Sequence, residues 1–326
     1  MPFIRKVLCA KTEKGNDAVM SETAKRIVSG FSIAIVVILA LYHYRLAASL
    51  HAFLLISAFA LLGVEEFYRL TDRGLDGRPI RSIGFIFTVL FLLIFYFDYL
   101  TGYDASSLPA WVLLILSVFK QVHNPVVPVL LLFIIIASSY SMVYRPLDGT
   151  AYTIATTVTG PIYAAIPLAI VLSILSLDEG VFVFVYTALA TIMTDVGAYF
   201  AGRWFGKHNA GLKVSPKKTY EGYAGGFIFA NLVVQTFVYF WLDFYPETNR
   251  SYVPGWLESV LLTLVMSLIS VFGDLVESAL KRDARIKDSS STIPGHGGVL
   301  DLVDAMLFTF PAGFYYFAVR AMIVSL

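Results

Sequence analysis

The chain has 326 residues, of which 58% are hydrophobic, 15% aromatic and only 14% charged, whereas a soluble domain is roughly half apolar and about a quarter charged. This excludes a soluble globular domain and points to an all-α, polytopic transmembrane helix bundle, while a single cysteine, Cys9, excludes an internal disulfide and any cysteine-based metal site. The formal net charge of +1 excludes no partner, because a near-neutral sum hides asymmetry between the two membrane sides.

Residues 1–26 are polar and mixed in charge, lack the apolar core and small-residue cleavage site of a signal peptide, and are expected to form a cytoplasmic tail. Apolar runs of about twenty residues, the length a helix needs to cross a hydrocarbon core roughly 30 Å thick, predict nine spans. They lie at residues 27–44, 50–68, 83–100, 126–144, 158–176, 181–201, 223–242, 257–280 and 303–325. The run Trp111 to Phe119 is too short to span and suits an interfacial or re-entrant piece. Basic residues collect in the tail (Arg5, Lys6, Lys25, Arg26) and at Arg69 to Arg81, Arg203 to Lys218 and Lys281 to Lys287. Acidic linkers lie at Asp98 to Asp104, at Asp178 and Glu179, and at Asp243 to Glu247. With nine spans every basic loop falls on the side of the N-terminus and every acidic linker on the other, which puts the N-terminus in the cytoplasm and the C-terminus outside. Residues 27–157 are expected to be N-terminal transmembrane helices. Residues 158–326 are expected to be a C-terminal catalytic region with cytoplasmic loops at 202–222 and 281–302.

Polar residues inside this apolar frame mark the chemistry. In "TIMTDVGAYFAGRWFGK" Asp195, Tyr199 and Gly202 share a helix face, and the small residues Gly197, Ala198, Ala201 and Gly202 allow another helix to approach closely. In "SVFGDLVESALKRDARIKD" Asp274, Glu277, Ser278 and Lys281 recur at helical spacing, and Ser267 and Ser270 continue the stripe. An ionisable residue in a span costs a few kcal/mol unless paired, hydrated or bound. "GGVLDLVD" brings a second carboxylate pair, Asp301 and Asp304, one turn apart. Carboxylates gathered without cysteine are hard oxygen ligands that suit Mg²⁺. Two alternatives stay open: Asp274 and Glu277 pair with Lys281 or another helix and merely fix packing, and Asp301 and Asp304 complement a helix N-terminus.

The two basic loops offer Arg203, Lys207, Lys213, Lys217 and Lys218, and Lys281, Arg282, Arg285 and Lys287, mixed with Gly, Pro and Ser. Carboxylates for a cation, facing lysines and glycine-rich backbone together suit a phosphorylated substrate. Ordinary anchoring at a cytoplasmic membrane surface is the other reading of the lysines. Glu65 and Glu66, at the end of the second span, read as helix-end packing.

The stretch "SALKRDARIKDSSSTIPGHGGVLDLVD", with "GDLVES", "SPKKTYEG" and "DVGAYFAGRWFGKH" upstream, resembles the signature of the phosphatidate cytidylyltransferase (CDP-diacylglycerol synthase) family. The resemblance covers roughly the C-terminal 40% of the chain. It implies transfer of the cytidylyl group of CTP to phosphatidate, giving CDP-diacylglycerol and pyrophosphate, in the cytoplasmic (inner) membrane of a bacterium, with the site facing the cytoplasm. It implies a centre of Mg²⁺ and a second cation such as K⁺, with Asp274, Glu277 and Asp301 as metal residues. Lys281, Lys287, Asp288, His296 and Asp304 are its expected catalytic residues. Asp195, Tyr199, Arg203, Ser215, Lys217, Lys218, Glu221, Ser278, Arg282, Gly295, Gly297 and Gly298 are expected to bind substrate. CTP, phosphatidic acid and the bilayer are the expected partners, with a homodimer and no nucleic acid. The chain departs from the family pattern at Leu302, where arginine is usual, at Val196 for a small hydroxyl residue, and at Arg285, where glycine is common. A CTP-dependent lipid kinase, a transporter and a catalytically silent member are the competing readings.

Overall fold

A computed structural model describes residues 22–42, 49–74, 77–102, 108–122 and 124–325. The expected tail, with Cys9, lies outside them except for residues 22–26. Ten helices in chain order account for most of the described backbone: α1 Glu22–Tyr42, α2 Leu50–Leu70, α3 Arg81–Leu100, α4 Ala110–Phe119, α5 Val126–Tyr144, α6 Thr150–Leu175, α7 Gly180–Phe205, α8 Tyr220–Phe244, α9 Trp256–Asp283 and α10 Val299–Val324. Among the described residues no strand forms beyond two isolated β-bridges, Asn209 with Thr219 and Ile293 with Gly297.

Eight of these helices, α2, α3 and α5 to α10, are long and apolar enough to cross a membrane. Of the ninth expected span, 27–44, the described residues 27–42 are helical as part of α1, but the apolar stretch Val28–Leu39 is shorter than the others. The short run after Trp111 forms α4, only 10 residues long, with Val112 and Leu116 packed in the same apolar cluster as Tyr99 and Leu100. It therefore sits at the α3 C-terminal end and does not span, as its length dictates.

Two boundaries move. Helix α6 starts at Thr150, well before the expected 158, and passes through a π-helical turn, Pro161–Ala165. A proline has no N–H to give to the i−4 carbonyl, and the wider turn absorbs that loss. The division expected after residue 157 thus falls inside one continuous helix. Helix α10 begins at Val299 rather than 303, and α9 runs to Asp283, so Lys281, Asp301 and Leu302 sit on helix ends and the connecting loop is confined to residues 284–298.

Ser49 beside Tyr99, and Glu258 beside Arg320, bring one set of helix ends together. Arg73 beside Asp283, Lys218 beside Asp274, and Glu66 beside Val299 and Leu300 bring together the opposite set. All three basic segments, Arg69 to Arg81, Arg203 to Lys218 and Lys281 to Lys287, belong to this second end. An apolar cluster of α2, α6 and α10 (Ala60, Val64, Phe67, Ala165, Leu300, Val303) underlies it.

Candidate active site

Helices α7 and α8 pack closely against each other. A side chain at Gly197 would meet Phe229 Cβ at 2.6 Å, and one at Gly226 would meet the Thr194 carbonyl at 2.6 Å. The small-residue face expected on α7 therefore does lie against another helix. Buried hydroxyls knit α7 to its other neighbours: Thr194 donates to Ser267 (2.7 Å) on α9 and Thr191 to Thr309 (2.8 Å) on α10. Hydrogen bonds between helices hold where the lipid offers no hydrophobic drive for helix association. This packing aims Asp195, Asp274, Glu277, Asp301 and Asp304 at one end of the bundle.

The cluster contains two lysines. Lys218, from the 206–219 loop, bonds Asp274 Oδ2 and lies 5.6 Å from the Tyr223 ring centre. Lys281 pairs with Glu277 Oε2 and donates to Asp301 Oδ1 at 2.7 Å. Asp304 is buried, accepts from the Ala305 N–H (2.6 Å), and stands within electrostatic reach of Asp274, Asp195 and Lys281. Asp195 is exposed and within reach of Asp274 and Lys218. Five carboxylates thus face two lysines. The imbalance is sharpest at Glu277, which is 0% exposed, meets only Lys281, and has no partner at Oε1. The hydroxyls of Ser270, one helical turn below Asp274, and of Tyr163, carried by the π turn, are also buried without partners. Tyr163 lies within electrostatic reach of Glu277 and Asp304.

Asp301 is occupied differently. Its Oδ2 accepts the Ser289 N–H and the Gly298 N–H, each at 2.8 Å, and lies 2.8 Å from the Ser289 hydroxyl. It thereby closes the loop and caps α10, the carboxylate of the third helical residue taking the N–H of the N-cap Gly298. The helix-N-terminus alternative is realised for Asp301, and the Lys281-pairing alternative for Glu277. Asp274 takes a lysine from the other loop instead. Among the described residues no three His, Cys, Asp or Glu side chains are grouped so as to hold a metal ion between them.

The loop has a tight geometry. Helix α9 ends in a Schellman turn, with Ile286 N–H bonded to the Lys281 carbonyl and Arg285 N–H to that of Arg282. Arg285 sits at φ 57°, the left-handed region, which explains why glycine suits this position. Gly297, at φ 95°, turns the chain back so closely that a Cβ would stand 2.6 Å from Asp301 Oδ2.

The other expected residues scatter around this centre. Arg203 donates to Tyr199 at 3.1 Å. Glu221 accepts from the backbone and ring of His208 and so anchors the 206–219 loop, while Ser215 shapes its turn. Arg282 reaches the Val214 carbonyl (3.4 Å), joining the two loops. Lys217, Lys287 and Asp288 are exposed at the rim, and Ser278 is half-buried. His296 turns away from the carboxylates: its Nδ1 lies 2.9 Å from the Ser29 hydroxyl of α1. Leu302 packs against the apolar cluster of α2, α6 and α10, so this position points into oil rather than toward the loop.

Three groups here have no site role in the sequence reading. Glu66 is 2% exposed and reaches the loop and the start of α10. Ser289 bridges Glu66 and Asp301. Tyr163 carries an orphan hydroxyl. An acid in a spanning helix was the available signal for Glu66, and the serine run after Asp288 for Ser289. Nothing local marks Tyr163.

A sequence model described as "Cytidylyltransferase family" matches residues 24–320. The chain is 40% identical over 134 residues to a phosphatidate cytidylyltransferase of Staphylococcus haemolyticus, covering 41% of this chain and 48% of that protein. It is 40% identical over 141 residues to one of Haemophilus influenzae, covering 43% and 47%. A Staphylococcus aureus protein of the same name is 40% identical over 134 residues, covering 41% and 48%. The chain thus spans about half the length of the curated relatives it matches.

Proposed function

We propose, on the premise that this chain belongs to the cytidylyltransferase family, that it transfers the cytidylyl group of CTP to phosphatidate. A phosphate oxygen of phosphatidate bonds to the α-phosphorus of CTP. The bond from that phosphorus to the oxygen bridging toward the β-phosphate breaks. CDP-diacylglycerol forms and pyrophosphate leaves. The relatives at 40% identity carry the name phosphatidate cytidylyltransferase.

The observation that carries the reading is the set of carboxylates and lysines gathered at one end of the bundle, beside two loops with further exposed cations. The nucleophile is a phosphate monoester whose second pKa is about 6, so no strong general base is needed. The obstacle is repulsion between two polyanions, which alignment and charge neutralisation overcome. Lys218 and Lys281 are the cations fixed at the centre, and Lys217 and Lys287 meet phosphate at the rim. Asp288 and His296 help shape the loop, and Asp195, Tyr199, Arg203 and Arg282 line the approach.

The donor set suits Mg²⁺: it is all oxygen, carries surplus negative charge, and includes the unpartnered Glu277 oxygen. Asp274, Glu277 and Asp301 would hold the ion, with Asp304 in support, and a second cation such as K⁺ belongs to the same reading. When bound, Mg²⁺ supplies Lewis-acid neutralisation of the phosphates. Lys218 and Lys281 now occupy these carboxylates, so holding the ion would require the acids to release them and draw together. The site end carries the three basic segments at Arg69 to Arg81, Arg203 to Lys218 and Lys281 to Lys287, which supports its facing the cytoplasm across the inner membrane of a bacterium. A homodimer completes the reading, checked by mass measurement in detergent.

Purified protein supplied with radiolabelled CTP, phosphatidate and Mg²⁺ should release pyrophosphate and a CDP-lipid. CDP together with a phosphorylated lipid would overturn this in favour of a kinase. Leu302→Arg serves as the second arm. Because Leu302 packs on apolar side chains, the substitution should not raise turnover. An inactive wild type with an active Leu302→Arg would instead identify a silent member.

A further inference from the structure

We infer that Glu66, on α2, is a positioning residue that holds the 284–298 loop and the start of α10 in register with the carboxylate centre, and that the N-terminal helices thereby take part in building the site. The inference rests on the proposed function for what the loop does, and on the geometry alone for how it is held.

Glu66 is buried at 2% exposure, and no cation among the described residues pairs with it. A buried carboxylate without a counter-ion persists only if neutral donors saturate it. Here they all come from one segment of the chain. Oε1 accepts the Ser290 hydroxyl (2.7 Å) and the Val299 N–H (3.0 Å), and Oε2 accepts the Ser289 hydroxyl (2.8 Å) and the Leu300 N–H (2.8 Å). One side chain thus grips both ends of the turn that contains Gly295, His296 and Gly297. The approach is so close that a side chain at Gly298 would overlap both Glu66 and Ser289.

The grip reaches the reacting end through Ser289. Its hydroxyl lies 2.8 Å from Glu66 Oε2 and 2.8 Å from Asp301 Oδ2. That hydroxyl has one proton and serves one carboxylate at a time, and the Ser289 N–H, also on Asp301 Oδ2 at 2.8 Å, leaves it free for Glu66, so Ser289 as a whole bridges the two carboxylates. Asp301 passes the constraint to Lys281, and Lys281 to Glu277. Two further tethers run from the N-terminal half to the same segment. Arg73 donates to Asp283 at 2.8 Å while stacking over Tyr152 at 4.4 Å. Ser29 of α1 donates to the Pro294 carbonyl at 2.9 Å and contacts His296. Of the three, only Glu66 binds backbone at the start of α10, which makes it the one that sets the helix register.

The test measures amide hydrogen exchange over residues 286–300 and steady-state turnover of CTP in full-length protein in detergent. It compares wild type, Glu66→Ala, Glu66→Gln and a neighbouring control, Glu65→Gln, which touches only Arg69 and Arg81. Glu66→Ala should speed exchange at Val299 and Leu300 and cut kcat per folded molecule by about tenfold or more, since small misplacements of reacting groups are costly. KM for CTP should change less. Glu66→Gln should fall between, because its NH₂ must face one of two backbone N–H groups that cannot accept. Glu65→Gln should change neither readout. Unchanged exchange in Glu66→Ala overturns the tether, and faster exchange with kcat intact overturns the positioning role. If Glu66→Ala does not fold, Ser290→Ala removes one donor from the loop side and should give the same pattern in weaker form. A wild type without cytidylyl transfer defeats the proposed function, yet the exchange arm still decides whether Glu66 holds the loop.

Discussion

Two carboxylate clusters lie at opposite ends of the same helix, α9, and they differ in how fully they are answered. At the N-terminal end, Glu258 accepts Arg320 Nε (2.9 Å) and Nη2 (3.1 Å), the Tyr316 hydroxyl (2.5 Å) and the Gly255 N–H (3.0 Å). Arg320 also donates to the Arg250 and Ser251 carbonyls. One acid meets one cation, and each guanidinium nitrogen finds an acceptor. At the C-terminal end, five carboxylates face two lysines, and Glu277 keeps an unpartnered oxygen with no exposure at all. Ionisable side chains in a span are expensive wherever they occur. The closed cluster meets that cost within the protein and fixes packing. The open one is left to be completed by something else, which is the signature of a site.

The sharpest break of this contrast is Asp274→Asn. It removes charge from the open end and should lower turnover by about 100-fold or more while the protein still elutes as a folded species; retained activity would refute the assignment of Asp274. Next comes Arg320→Leu, which strips Glu258 of its partner. Because Glu258 is half-exposed, the cost should be about 1–2 kcal/mol rather than that of a fully buried pair. It should be read as a lower unfolding midpoint with turnover per folded molecule unchanged. Replacing Glu258 and Arg320 together by leucine should cost less than Arg320→Leu alone.

Glu277→Gln sharpens the comparison from the other side. It relieves an unbalanced buried charge, so the unfolding midpoint should hold or rise while turnover falls about tenfold, the stability–activity opposition expected of an active site. The same substitution in a closed cluster would do the reverse. The smallest effect concerns the backbone. Arg285→Gly removes a side chain from the left-handed C-terminal position of α9 and should raise stability by about 1 kcal/mol or less. A loss instead would show that the Arg285 side chain holds the loop.

The polar stripe of α9, the acid pair at the start of α10 and the glycine–histidine loop were legible because each is a local pattern of spacing on one helix or turn. The close approach of α7 to α8 was legible for the same reason, as a face of small residues. Glu66 was legible only as an acid at a helix end. Its role depends on Ser289, 223 positions away in the chain, and no periodicity links the two. His296 stands in a conspicuous motif, and that its ring lies on Ser29 of α1 could not be read from the motif. Leu302 is similar, because its unusual identity looks like a lesion until its apolar surroundings are seen.

By itself the sequence determined the membrane class, the approximate spans, the end of the bundle that carries the cations, and the residue types available for phosphate chemistry. Those follow from transfer energies and helical periodicity, which act residue by residue along the chain. Only the tertiary structure decided which carboxylates are paired and which are left open, that Asp301 caps α10, and that α2 grips the loop. Those outcomes depend on distances between segments far apart in sequence, and a buried charge is stable or reactive according to what packing brings within about 3 Å of it.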